Sequence, residues 1–159
     1  MSDEMSRSET GRHRTKGIFA IRSDKDTHFT GAVAVGITEN ESLAGLESDK
    51  ITILRVLVTS VENLAFTIAF FGANTFQDTD IDLDAYTGEV QFVAADGVRM
   101  NAAGFPQYYY DSGALEMPYI DALNSGTLNV AYVCRDAAGK QAGVLGSVVV
   151  TVGYEALQE

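Results

Sequence analysis

The chain is short of the residues from which most catalytic and cofactor sites are built. It holds one cysteine and two histidines in 159 residues. A single thiol, Cys134, allows no internal disulfide, so the fold has to rest on its core. Cys134 closes the strand-like run TLNVAYVC and has no histidine motif beside it; that pattern suits a small buried hydrophobe better than a nucleophile. His13 and His28 cannot form a zinc-binding cluster or complete a Ser-His-Asp set. Basic side chains are also scarce, 11 against 22 acidic ones, for a formal net charge of -11. Such a chain repels phosphate and has too few Lys and Arg for a nucleic-acid groove. The glycines of AAGKQAG lack the spacing of a phosphate loop. No apolar run reaches the roughly 18 residues that a membrane helix needs; the longest, from Asn63 to Asn74, is broken by Thr67 and Gly72. The opening segment MSDEMSRSETGRHRTKG mixes charges of both signs without an apolar stretch, so it is not expected to be a secretory signal. These shortages predict a protein with no cofactor and no enzymatic activity, whose partners are neither free nucleic acid nor membrane.

What is present is the material of a folded β domain. Hydrophobic residues make up 46% of the chain and charged ones 21%, enough to bury a core and too apolar for a mostly disordered chain. GIFAIR, THFTGAVAVGIT, TGEVQFVA, GFPQYYY and EMPYIDAL read as strands, and ENESLAGLESDK as a turn-rich exposed segment. ITILRVLVTS alternates, placing Ile51, Ile53, Arg55, Leu57 and Thr59 on one face and Thr52, Leu54, Val56 and Val58 on the other. NLAFTIAFFG is apolar on both faces, as expected of a central strand covered on each side. The chain closes with GTLNVAYVCR and LGSVVVTVGYEAL, joined by DAAGKQAGV, whose glycines suit a hairpin loop. The expected fold is all-β: an antiparallel, jelly-roll-like sandwich of about eight or nine strands. Residues 17–159 form its single domain, and residues 1–16 an extended polar arm.

Three features are candidates for contact chemistry. The first is the arm, where Arg7, Arg12, Arg14 and Lys16 stand against Asp3, Glu4 and Glu9. It is mildly basic on a body with seven basic and 19 acidic side chains from Ile18 onward, so it can be a solvated tail or an arm that docks on an acidic neighbour. The second is QDTDIDLDAYTGE. In an extended strand, Asp78, Asp80, Asp82 and Asp84 share one face and Ile81 and Leu83 the other. A solvated acidic face, a contact for a basic arm and a cation site are all open. The calcium-loop pattern fails, because Leu83 stands where its turn glycine belongs, although Glu89 is correctly spaced. The third is GFPQYYYDSG, in which Phe105, Tyr108, Tyr109 and Tyr110 lie beside Pro106, with Tyr119 downstream. These rings can fill the core, form a protein interface, or stack on sugars with Tyr108, Tyr110 and Asp111 as the contacts.

The C-terminal stretch SGTLNVAYVCRDAAGKQAGVLGSVVVTVGYEAL resembles the closing hairpin of small jelly-roll proteins that decorate the heads of tailed bacteriophages. The likeness lies in a Gly-rich connection between two long strands and the Gly153-Tyr154-Glu155 ending, about a fifth of the chain. The resemblance implies a non-enzymatic virion protein, made in the host cytoplasm, that sits on the capsid surface. Such proteins are often trimers and clamp neighbouring major capsid subunits with a terminal arm, a part that residues 1–16 can play. A carbohydrate- or receptor-binding module built on the same sandwich is the alternative, and a tail or other internal virion subunit a further one. Fold-level analogy serves all three equally.

Overall fold

The alternating stretches become strands that pair first with last. In a computed structural model, residues 15–23, 38–72, 86–100, 107–135 and 148–158 are described. They form ten strands in two sheets. One sheet holds β1 (Thr15–Arg22), β3 (Lys50–Ser60), β6 (Val98–Arg99), β7 (Tyr108–Asp111), β8 (Met117–Ile120) and β10 (Val148–Gln158). The other holds β2 (Thr38–Ala44), β4 (Phe66–Phe71), β5 (Tyr86–Phe92) and β9 (Thr127–Cys134). Strand order is β1-β10-β3-β7-β6 in the first, with β8 also on β3, and β2-β9-β4-β5 in the second. All pairings are antiparallel: β1 with β10, β2 with β9, β3 with both β7 and β8, and β4 with β5. That is one long hairpin rolled on itself, and the β10–β3 and β9–β4 ladders close the roll. The fold is an all-β sandwich of jelly-roll topology.

Inward-facing side chains of the two sheets form the core. Ile51, Ile53, Val56, Val58, Val150, Val152 and Tyr154 come from the first sheet, and Phe66, Ile68, Phe70, Leu128, Val130 and Tyr132 from the second. Phe66 sits at the centre, stacked on Tyr132 at 5.1 Å and edge-on to Tyr110 at 4.9 Å. The inner face of β5 also meets the opposite sheet, where Gly88 leaves room for the Met117 side chain of β8: a Cβ there would lie 3.0 Å from its sulfur.

Several expectations need correction. The alternation along β3 is not continuous. Ile51 and Ile53 point inward, but so do Val56, Val58 and Ser60. A register shift against β10, where Gly153 pairs with Arg55 and Tyr154 with Ile53, leaves Leu54 as an extra residue. This β-bulge flips the phase, so Leu57 and Thr59 face outward and the valines face the core. The bulge also divides the far edge of β3: β8 occupies the half at Lys50–Ile53 and β7 the half at Leu57–Ser60. Leu54 O and Val56 O accept the amides of Leu115 and Ser112 from the chain between them.

The segment from Glu39 to Ala44 is not a turn but most of β2. Its acidic residues are compatible with a strand because β2 lies at the margin of its sheet. The closing pair is not a hairpin either: β9 and β10 belong to different sheets, as the rolled topology requires. β1 starts at Thr15, so Lys16 lies in the sheet rather than in the arm. β4 meets the expectation of a strand buried on both faces. Residues 1–14, most of THFTGAVAVGIT, the run carrying Asp78, Asp80, Asp82 and Asp84, the Phe105-Pro106 pair and DAAGKQAGV lie outside the described residues.

Candidate functional site

The tyrosine-rich strand contributes its rings to both faces of the sheet. β7 pairs with β3 so that Tyr110 lies opposite Val58 and Tyr109 opposite Thr59. Tyr110 is therefore an inward residue and fully buried. Its hydroxyl donates to Asn63 Oδ1 at 2.7 Å and accepts the Leu64 amide at 2.9 Å, tying β7 to the β3–β4 connection. Gly97 closes over this anchor, since a Cβ there would lie 2.5 Å from Asn63 Oδ1 and 3.0 Å from the Tyr110 ring. Tyr110 is thus a core residue, which removes it from the surface-contact set expected of the tyrosine cluster. Tyr108 is half-buried and packs against the core. Asp111 faces out, accepting from Arg55 Nε at 2.9 Å and from the Gly113 amide at 2.8 Å. Those bonds, the Gly113 amide first and the Arg55 guanidinium after it, hold its carboxyl below the usual range despite some desolvation. Tyr108, Tyr110 and Asp111 therefore do not converge on one surface.

A second polar group joins the sheets at the opposite end of β3. Tyr119, opposite Ile51 on β8, is buried, and burial pushes its hydroxyl pKa upward. The hydroxyl lies 3.1 Å from Phe71 O and 3.0 Å from Thr127 O, and accepts the Asn129 amide at 3.1 Å. Asn129 donates from Nδ2 to Phe71 O and accepts from Ser42 Oγ, so β2, β4, β8 and β9 meet at one knot. Asp121, only 3% exposed, secures the turn into β9. It accepts the Gly126 and Thr127 amides and the Ser125 hydroxyl. Asn124 and Gly126 take positive φ in that turn, a region Asn and Gly tolerate. Asp121 is not among the site residues expected from the sequence. The Asn-Ser-Gly turn signal is legible there, but nothing marks which carboxylate is buried under it. These groups bond largely to backbone and hold strands together.

The outer face of the first sheet is open to solvent. Pairing registers place Lys16, Ile18, Ala20 and Arg22 of β1 beside Leu157, Glu155, Gly153 and Thr151 of β10, all facing outward. Across β3, Thr52 and Lys50 continue to Pro118 and Ile120 of β8. Lys16, Lys50, Pro118, Ile120, Glu155 and Leu157 are among the residues lining a groove of about 340 Å³. Ile18 is 75% exposed, Ile120 55% and Leu157 42%. Lys16 Nζ lies 3.4 Å from Glu155 Oε1, so the one arm cation among the described residues is engaged within its own sheet. Sequence reading misses this apolar patch because its residues come from strands far apart in the chain. A smaller depression of about 260 Å³ at the other end of the face is lined by Arg22, Leu57, Thr59, Tyr109, Val149 and Thr151. Among the described residues, no group of three or more His, Cys, Asp or Glu is placed to hold a metal ion, and no helix is long and apolar enough to cross a membrane.

Comparison with known proteins leaves the site to be read from its own chemistry: no family model matches the chain, and no curated protein matches it.

Proposed function

We propose that this chain is a non-enzymatic structural subunit of a virion, a capsid decoration protein that binds neighbouring capsid subunits. The observation that carries the reading is the groove bounded by Ile120, Leu157 and Pro118, an apolar centre rimmed by Lys16, Lys50 and Glu155. An apolar centre within a charged rim is the composition of a protein-binding patch. Thr15 pairs with Gln158 at this end of the sheet, so the residues carrying Arg7, Arg12 and Arg14 are joined to the fold beside the groove. The jelly roll supports shell subunits and lectins alike. The glycan alternative loses ground because Tyr110, one of its two stacking rings, is in the core. The acidic balance of the chain also suits a protein that must pack densely around DNA-filled shells without adhering to DNA.

Co-sedimentation with intact capsids tests the reading. The full chain is expected to pellet with capsids, and the Ile120→Lys and Leu157→Lys variants to bind about tenfold more weakly or worse while keeping the wild-type fold. Removing residues 1–14 is expected to weaken binding with little change in melting temperature. Wild-type protein that stays in the supernatant but binds a glycan array would overturn the proposal and favour a carbohydrate-binding module centred on Tyr109.

A further inference from the structure

β1 is an edge strand with nothing paired to its outer side among the described residues. The hydrogen-bond parity of that edge follows from one contact. The Ser23 amide donates to Val150 O, which makes Ser23 and Val150 a hydrogen-bonded pair. In an antiparallel ladder such pairs alternate with non-bonded ones. Gly17, Phe19 and Ile21 therefore direct their N–H and C=O groups toward β10, and Lys16, Ile18, Ala20 and Arg22 direct theirs to the open side. The register from Thr15 to Arg22 runs without a shift.

Soluble proteins usually blunt such an edge with proline, a bulge or an inward-pointing charge. β1, with the sequence TKGIFAIR, has none of the three. Its two charges, Lys16 and Arg22, both lie on the outer face, and Lys16 is already paired with Glu155. At its middle stands Ile18, the most exposed large hydrophobic residue among those described.

We infer that β1 pairs with β1 of a second copy, antiparallel across a two-fold axis at Ile18, joining the two β1-containing sheets into one. An antiparallel pair has two-fold axes at hydrogen-bonded and at non-bonded residue pairs alike; Ile18, which presents its backbone groups outward, lies at one of the hydrogen-bonded kind. Ile18 then faces Ile18 of the other copy and exchanges both hydrogen bonds with it. Lys16 faces Ala20, and Thr15 pairs with Ile21. An axis at Phe19 is disfavoured by charge, since it sets Lys16 directly against Arg22 of the other copy, a like-charge cross-strand pair. An axis at Ala20 sets Ile18 against Arg22 and leaves the apolar residue without an apolar partner. The axis at Ile18 avoids both faults within Thr15–Arg22. It also sets the Ile18 side chains of both copies on the same outer face as Leu157 and Ile120. This association does not depend on the capsid reading and needs no capsid.

Light scattering on the full chain over a concentration series tests it. The expected result is a dimer, with the Lys16, Ile18 and Ala20 amides protected from hydrogen exchange. Ile18→Pro is the decisive variant, because it removes only an N–H that the protein's own ladder does not use. It should weaken the dimer about tenfold or more while the monomer keeps its wild-type circular dichroism. Should Ile18→Pro disturb β1 itself, Ile18→Lys reads the same contact through charge and should also yield monomers. In a Cys134→Ser background, Ile18→Cys should oxidise to a covalent dimer and Ala20→Cys should not, because an axis at Ile18 sets residue 18 opposite itself and residue 20 opposite Lys16. A monomer at every concentration overturns the inference. So does a dimer unaffected by both substitutions at Ile18, or one that Ala20→Cys crosslinks as readily.

Discussion

The two sheets share one core but treat their outer faces in opposite ways. In the four-stranded sheet, Thr67, Ala69, Phe71, Asn129 and Ala131 face away from the core and are nevertheless buried. Arg135 contributes to that closure, donating to Thr67 Oγ1 and lying 3.8 Å from Glu89. Glu89 also accepts from Tyr86, whose ring meets Phe71 edge-on at 5.7 Å, and from Gln91. In the six-stranded sheet, the corresponding face leaves Ile18, Ile120, Leu157 and Val98 exposed. Among the described residues, one outer face is buried and the other exposes apolar side chains. Substitutions on the two faces, and in the core between them, should therefore separate stability from association.

The largest effect is expected at the centre of the sandwich. Phe66→Ala removes a ring that touches Phe92, Tyr110 and Tyr132 and should cost about 3–5 kcal/mol of unfolding free energy. Ile18→Ala on the open face should stay within about 0.5 kcal/mol for the monomer, as surface substitutions usually do. Denaturant unfolding measures both. Equal losses at the two positions would show that the open face is part of the cooperative core.

Next in size are the polar ties between strands. Asp121→Ala leaves the Gly126 and Thr127 amides without their acceptor and should cost about 2–3 kcal/mol. Gly97→Ala should cost about 1–3 kcal/mol, because its methyl group must displace Asn63 or the Tyr110 ring. Tyr110→Phe should cost about 1–2 kcal/mol through its lost bonds to Asn63 and Leu64. If these three together perturbed capsid binding while leaving stability unchanged, their assignment as structural ties would be wrong.

Much of this architecture is legible in the residues themselves, because a strand's side-chain period reports burial directly. FTIAFF lacks polar alternation and is buried on both faces; VVVTVGYEAL alternates from Val150 on and lines the core with every second residue. The phase of β3 is not legible, since ITILRVLVTS alternates acceptably on paper and the bulge at Leu54 shows only in the register of β3 against β10. β2 is hidden for the opposite reason: in TENESLA the polar residues outweigh Leu43, and only pairing with β9 makes it a strand. The contact surface is still less accessible. Ile18, Ile120 and Leu157 are single apolar residues in three separate segments, and nothing but sheet register brings them together. Tyr110 is conspicuous in sequence yet structural, because composition reveals a cluster of rings and not which of them face inward.

The outer faces also predict a pair of titrations. On the closed face, burial first, and then the hydrogen bond to Glu89 and its negative charge, push the Tyr86 hydroxyl up to about 12. A raised acid pKa means that the folded state holds its proton longer. The stability it contributes is therefore present below about pH 10, the unfolded value, and lost as pH rises through about 12. Tyrosine-ring NMR should show Tyr86 ionising late, and Glu89→Gln should lower that pKa without returning it fully to normal, since burial remains.

Asp111 on the open face has the opposite sign and the smallest expected effect. Its carboxyl is held low by the Gly113 amide and then by Arg55. A lowered pKa means that the stability it contributes is present above about pH 4, the unfolded value, and is lost as pH falls through the depressed folded value. The pair is half open to water, with side-chain exposures of 53% for Arg55 and 34% for Asp111. Solvent screening should therefore limit Arg55→Ala to about 0.5 kcal/mol. Denaturant midpoints of the wild type and of Asp111→Asn, followed from neutral to acid pH, should converge at the acid end. Their difference at neutral pH measures the bonds of Asp111 to Gly113 and Arg55. A difference matching that for Asp121→Ala would mean that this corner of the open face holds the fold together no less than the buried turn does, and the contrast between the two outer faces would fail there.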